Sequence, residues 1–320
     1  MSDTPYHIDL ASVVRAFPPG TDAPRLLLDF AAWLKVPPWG SVGCFSLAGQ
    51  FSDLAPIYDG GPLRGDFALF LRLPEGSVVG AWYGGGVDPA NPPIVVIGSE
   101  GENEILAASL EGLLAKIALG WFEENSEWTD FAPHEDIEAD ALDELAGWLS
   151  RRLQVRDLDK LTEKPSGQPD FKRWTEAWCR DRERFWTDHP VSMELGRHLA
   201  AHLPKGTNAW DKTIFNVAVA GQQFQIRVLG RGRQPLEEAA AIEPILRKLR
   251  DDMWRARPDL GLWYSMSFGL YADGHVLPYG FNYETRPMIG EALADLSEAK
   301  ADLLRAPRPE RWVPAWLTAR

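Results

Sequence analysis

Residues 243–287 read EPILRKLRDDMWRARPDLGLWYSMSFGLYADGHVLPYGFNYETRP, and the way this stretch divides decides the fold of the C-terminal half. Ile245, Leu246, Leu249 and Trp254 recur at roughly helical spacing, with Arg247, Lys248, Arg250, Asp251 and Asp252 on other faces, so the first part is a helix. Pro258, which has no amide hydrogen to donate, and Gly261 stop it. Leu262–Tyr271 is aromatic-rich and alternates, as a half-buried strand does. Ala272-Asp273-Gly274 is a tight turn, because Asp-Gly supplies the positive φ angles that such a turn needs. His275–Tyr283 returns as a second strand, in which Pro278 and Gly280 mark an edge or a bulge.

Working outward, Trp210–Ala220 and Gln223–Leu229 pair across Gly221-Gln222, preceded by helices over Phe171–Trp186 and Pro190–His202. After the opening stretch comes a helix over Glu291–Leu304, then a tail from Pro307 whose Trp312 and Trp316 lie back on the domain. The N-terminal half begins with a short helix near Leu10–Phe17 and a better one over Pro24–Lys35. A short strand follows at Val42–Leu47. Asp66–Tyr83 is a hairpin around Pro74-Glu75-Gly76, and Pro93–Gly98 is a buried strand by its β-branched content. Glu104–Trp121 reads as one helix, with Ile105, Leu106, Leu110, Leu113, Leu114 and Ile117 on its inner face. Glu123–Asp140 reads as a loop, and Ala141–Leu153 as a helix. The expected fold class is α+β, with two domains that are each a mainly antiparallel sheet with helices packed on one face. The domains are 1–162 and 171–320, joined by a linker at 163–170, where Pro, Ser and Gly cluster.

The chain has 320 residues, 45% of them apolar and 14 of them Trp, enough for two packed cores. No apolar run of membrane-spanning length occurs, and the N-terminus lacks the basic and apolar regions of a signal peptide. The two cysteines, Cys44 and Cys179, define no disulfide framework and no thiolate metal site. The expectation is therefore a cytoplasmic protein with no membrane partner. The net charge of −13 is unevenly held: residues 1–150 carry 23 acids and 6 bases, residues 151–320 carry 23 acids and 27 bases. Such a balance argues against nucleic acid as a partner, and the acidic first half suits a basic protein. A surface kept acidic for solubility is the plainer reading of the same numbers.

The motifs that carry chemistry are weak. Glu194, His198 and His202 share a helical face, but His-Leu-Ala-Ala-His lacks the glutamate of a zinc-hydrolase helix, so a solvated polar face is the expected reading. Gly98-Ser99-Glu100-Gly101 has no lysine where a phosphate loop needs one, and Ser99 or Asn103 is expected to cap a helix instead. Gly84-Gly85-Gly86 is read as a turn. Neither cysteine stands in the context of a nucleophile, and no GxSxG turn occurs. The expectation is a protein that is not an enzyme, with no catalytic residues, cofactors or metal site.

Two resemblances sharpen this. DFALFLRLPEGSVVGAWY, followed by PIVVIGSEGENEILAASLEGLLAKIA, resembles the SUKH superfamily of bacterial immunity proteins, in which a hairpin leads to a helix introduced by a serine and hydrophobic residues. Ser109, Leu110, Leu113 and Leu114 match that signal. LRKLRDDMW, LWYSMSFGLYADG and FNYETRP resemble the YezG-like immunity proteins, through Trp263, Ser265, Asp273, Gly274, Phe281, Tyr283 and Pro287. The extra residues Pro278–Gly280 and the large preceding helices depart from the second pattern. Together the resemblances imply an immunity protein that binds and neutralises a cognate toxin, of the basic nuclease type, as a monomer or weak homodimer. The partner-binding residues expected are Glu100, Glu102, Glu123, Glu124, Glu127, Trp128 and Asp130 in the acidic region. Trp82 and Tyr83 join them on the first domain, and Tyr279, Tyr283 and Glu284 on the second. A general adaptor of the SUKH fold, or an enzyme using His198, His202 or His275, are the competing expectations.

Overall fold

Two separate runs of antiparallel strands organise the chain. The structure, a computed structural model, describes residues 10–34, 41–47, 65–98, 101–124, 135–163, 169–202, 212–229, 236 and 239–318, leaving out the side chains of 12, 123–124, 135–139, 181–187 and 202. The fold is α+β, and its contacts divide into two compact units that meet in the chain between Thr175 and Glu176. That division falls just inside a helix, Phe171–Asp188, rather than in the expected linker, of which 164–168 lie outside the described residues.

In the first unit, strands β1 (Ser41–Val42), β2 (Phe45–Leu47), β3 (Phe67–Arg72), β4 (Val78–Trp82), β5 (Ile94–Ile97) and β6 (Asn103–Ala107) follow one another in sheet order. Every neighbouring pair is antiparallel. Helices α1 (Leu10–Ala16), α2 (Arg25–Trp33), α3 (Leu110–Ala118) and α5 (Glu135–Leu153) contribute to one core with this sheet, and α4 is a single turn at Trp121–Glu124. Phe30, Leu113, Leu145 and Leu149 come from the helices, and Phe70, Val79 and Val96 from the strands. At the centre of the sheet the chains approach so closely that a Cβ on Gly80 would stand 2.2 Å from the Ala68 carbonyl oxygen. Only glycine fits there.

The single helix expected over Glu104–Trp121 is corrected. Residues 103–107 form β6, pairing Glu104 with Val96 and Ile105 with Val95, and the helix begins only at Leu110. Ile105 and Leu106 satisfy either periodicity in so short a run. What decides is that β5, buried along its whole length, needs its second edge paired. Gly101, at φ +103°, turns the chain back to provide that pairing. The helix cap is therefore Ser109, whose Oγ accepts the Gly112 amide at 3.2 Å, and not Ser99 or Asn103. The loop expected over 123–140 is also shortened, because α5 starts at Glu135. Acids in a first helical turn are favoured by the helix dipole, which the sequence reading left out.

In the second unit, β7 (Lys212–Ala220), β8 (Gln223–Val228), β9 (Ser265–Tyr271) and β10 (Val276–Asn282) form a sheet in the order β10-β9-β7-β8. The Asp-Gly turn is present, with Gly274 at φ +88°. β10 is an edge strand and its register shifts between Pro278 and Gly280. Both features follow from proline having no amide for the ladder. Helices α6 (Phe171–Asp188) and α7 (Pro190–Leu199) precede the sheet, and α8 (Ala239–Ala256) joins β8 to β9. One face of the sheet packs on α7 and α8 through Phe215, Val217, Phe268, Leu195, Leu246 and Leu249.

The helix expected from Glu291 is also corrected. Gly290, at φ +70°, turns a small hairpin, β11 (Met288–Ile289) with β12 (Ala292–Leu293). The helix α9 then runs over Leu296–Arg305, capped by Asp295, which accepts the Ser297 amide at 2.8 Å. The tail does lie back on its unit: Trp312 is fully buried, and Trp316 donates to the Glu284 carbonyl at 2.6 Å.

A buried polar network ties α8 and α9 to the β7–β8 turn. Arg250, 1% exposed, donates to the Trp263 carbonyl at 2.6 Å and to the Asp302 carboxylate at 2.8 Å. The same carboxylate accepts the Gly221 amide at 2.7 Å, and Glu298 accepts the Gln222 amide at 2.7 Å. Arg247 donates to both carbonyls of that turn.

Candidate functional site

The side of the second sheet that does not face α7 and α8 carries the candidate site, and the register shows how its rows are built. Alternate residues of a strand share a face. Gly280, Ser267, Asn216 and Arg227 therefore form one row across the four strands, and Asn282, Ser265, Ala218 and Gln225 the next. Both rows are dominated by hydroxyls and amides, and they floor an open groove of about 510 Å³. Ser267 Oγ lies 2.9 Å from Asn216 Oδ1, and Asn282 Nδ2 donates to Ser265 Oγ at 3.1 Å. The Asn282 Oδ1 accepts the amides of Glu284 and Thr285, which fixes the end of β10 against the floor.

One wall is Tyr279. It stands at the bulge and lies across Gly269, where a Cβ would come within 2.5 Å of the tyrosine hydroxyl. Its hydroxyl is 3.1 Å from that of Tyr271, and Lys212 Nζ stands 4.6 Å from the centre of its ring, in range for a cation–π contact. Burial, and then the bond to Tyr279, pushes the Tyr271 phenol upward. Beyond it His275 stacks on Tyr271 at 4.4 Å, with Nδ1 held 2.5 Å from Asp273 Oδ1. Asp273 is lowered, first by the His275 amide that it accepts. The other wall is the β11–β12 hairpin. Gly290 accepts from Arg227 at 2.6 Å and donates to Gln225 Oε1 at 2.9 Å, and Met288, 53% exposed, stands on the rim.

Of the expected partner-binding residues that the structure describes, Tyr279 alone lines this groove; Ser265, Phe281 and Pro287 of the YezG-like pattern line it as well. Trp82 and Tyr283 are interior residues, 0% and 6% exposed, which corrects the expectation that they present surface to a partner. Trp82 was misread because it ends its strand. That strand is buried at every position, and the rings of Phe171 and Trp174 lie 4.9 Å and 5.4 Å from Trp82. Gly84 and Gly85 run against the rings of Trp82 and Trp174, so these two glycines cover part of an aromatic cluster. Glu284 is half-buried and Glu102 exposed. Glu123 and Glu124 belong to α4, with side chains outside those described, and Glu100, Glu127, Trp128 and Asp130 lie outside the described residues. His198 is exposed on α7, and the His202 side chain lies outside the described set. Among the described residues no three His, Cys, Asp or Glu side chains gather as metal ligands, and no helix is long and apolar enough to cross a membrane.

The sequence reading missed Asn216, Gln225, Arg227 and Ser267. The signal was there: Gln223-x-Gln225-x-Arg227 and Ser265-x-Ser267 alternate polar side chains with apolar ones.

Tyr83 is half-buried against Phe17, and desolvation of its phenolate pushes its pKa up to about 12. The folded state holds this proton more tightly than the unfolded chain. The stabilisation is therefore complete below the unfolded pKa of about 10 and is lost as pH rises through the folded value. Allowing for partial exposure, about 1–2 kcal/mol should disappear over that window. In chemical denaturation of the first unit from pH 9 to 12, Tyr83→Phe should flatten the fall. An identical slope in the variant would remove Tyr83 as its source.

No family model matches the chain, and no curated protein or solved structure gives a significant match.

Proposed function

We propose that the chain is a non-enzymatic immunity protein that binds and neutralises a protein toxin in the cytoplasm. The observation that carries this reading is the open face of the second sheet. It is a fixed, hydrogen-bonded polar floor flanked by a tyrosine, an arginine and an exposed methionine, residue types enriched at protein interfaces. Sheet faces are usually covered when apolar; this one is polar and accessible, as a contact surface requires. The two resemblances, SUKH-like and YezG-like, point to the same class. The acidity of the first half adds a steering field for a basic target, such as a nuclease-type toxin.

Co-expression with a toxin domain encoded beside the gene tests the reading. The expected result is rescue of growth and co-purification at a fixed stoichiometry. Growth arrest despite full expression of both proteins, with no complex on size exclusion, would refute it. The steering component has its own readout. Reversing the charges of Glu123, Glu124 and Glu127 to Lys should slow association about tenfold at low salt, with the difference vanishing above roughly 0.5 M salt. An unchanged on-rate across that range would exclude the acidic region from the encounter.

A further inference from the structure

Charge in the groove is one-sided. Arg227 is the charged residue among the described lining side chains, and none of them is Asp or Glu. Among the described residues it donates from one terminal nitrogen to the Gly290 carbonyl, a neutral acceptor. Its Nε is buried with no hydrogen-bond partner among the described residues. A guanidinium offers five N–H groups in a rigid fork that matches a carboxylate, and an arginine in a concave site whose terminal nitrogens are only partly spent is poised for an anion. By contrast, Arg250 and Arg247 in the same unit both reach acids, Asp302 and Glu243. The neighbours of Arg227 suit the same ligand. Asn216 lies directly across from it and its Nδ2 can donate to a second carboxylate oxygen, while Ser267, one strand further, donates to Asn216 Oδ1 at 2.9 Å and sets the orientation of that amide. Volume and shape add a constraint. An open groove running over two rows of the sheet fits an extended chain better than an enclosed small molecule.

We infer that the groove is a carboxylate receptor whose occupant is an Asp or Glu side chain on an extended segment of the bound partner, with Arg227 as its clamp. The inference rests on the proposed role as a protein binder, but it fixes a different property: a locus of positive charge on a chain that is acidic overall. Arg227 pairs the carboxylate end-on through its two terminal nitrogens, one of which also serves Gly290, while the Asn216 amide nitrogen, with its partner oxygen held by Ser267, positions the second oxygen. Tyr279 and Met288 close over the flanking residues of the segment.

The test uses the full chain and needs no toxin. Three peptides of one sequence, the first two capped at both ends, are titrated, with the Arg Nε–H resonances of selectively labelled protein as the readout. One carries a central Glu, one a central Gln, and one the Gln with a free C-terminal carboxylate. The expected result is a shift of the Arg227 resonance by the Glu peptide, with affinity at least tenfold above the Gln peptide and falling as salt is raised. That ratio corresponds to about 1.4 kcal/mol. Equal binding of the Glu and Gln peptides, or none by either, would overturn the receptor. Preference for the free C-terminus would overturn the side-chain occupant. Arg227→Gln should abolish the discrimination. Because that change also removes the bond to Gly290, Ser267→Ala serves as a second variant and should weaken the Glu peptide severalfold with the fold intact. Failure of toxin rescue with Glu selectivity retained would discard the immunity role while keeping the site. Rescue without Glu selectivity would do the reverse.

Discussion

Replacing Asp302 by Ala should destabilise the second unit by about 3–5 kcal/mol, the range for removing one partner of a buried ion pair. The side chain is almost wholly enclosed, and its carboxylate has two clients, the buried Arg250 guanidinium and the half-buried Gly221 amide. Removing it leaves a desolvated cation and an orphaned amide, each of which forfeits water without recompense. Arg250 already has one nitrogen, Nη1, buried without a hydrogen bond, so it has little slack to absorb the loss. The damage should spread to the β7–β8 turn, since Asp302 and Glu298 hold its two amides while Arg247 holds its two carbonyls. Urea denaturation followed by near-ultraviolet circular dichroism reads the loss. The double substitution Arg250→Met, Asp302→Leu should lie closer to the parent than Asp302→Ala, because it removes the charge along with its counter-charge. If the single variant loses less than about 1 kcal/mol, the pair is solvated in solution and the network is not the fastener of α9.

Phe171→Ala should cost the first unit about 3–5 kcal/mol, as large-to-small changes of buried aromatics do. Phe171 is 2% exposed and stands 4.9 Å from Trp82 and 6.0 Å from Phe67, ring centre to ring centre. Trp174, in the same helical turn, lies 5.7 Å from Phe67 and 5.4 Å from Trp82. These two side chains cover Phe67 on β3 and Trp82 on β4. Without them the rings of Trp82 and Phe67 would lose their covering partners. The effect is specific in its location: a residue beyond the expected linker stabilises the domain before it. Trp82 fluorescence should shift to the red in the variant before global unfolding. A double-mutant cycle of Trp82→Phe with Trp174→Phe should return a coupling of about 0.5–1.5 kcal/mol. Zero coupling, together with an unchanged midpoint for Phe171→Ala, would mean that the cluster contributes nothing in solution.

The legible parts of this chain are those where one local rule sufficed. The Asp273-Gly274 turn, the bulge at Pro278–Gly280 and the alternation of Ser265–Tyr271 were readable from residue type alone, because φ preference and the missing proline amide act within a few residues. Residues 103–107 were not, because Ile105 and Leu106 fit a helix and a strand equally well. The unpaired edge of β5, set by residues elsewhere in the chain, made the choice. The groove was hidden for a related reason. Its floor takes alternate positions from β7, β8, β9 and β10, and only the order β10-β9-β7-β8 places Arg227 in a row with Asn216 and Ser267.

Residues 243–287 thus determined by themselves a helix, a stop, two strands and the turn between them, since each is a short-range consequence of side-chain shape and backbone freedom. The tertiary structure decided what those strands face. It placed β9 between β10 and β7, enclosed Tyr283 and the Arg250–Asp302 pair, and left Ser265, Ser267, Tyr279 and Asn282 on the open side. Burial is a property of the whole packing, because which of two alternating faces is covered depends on where distant helices settle.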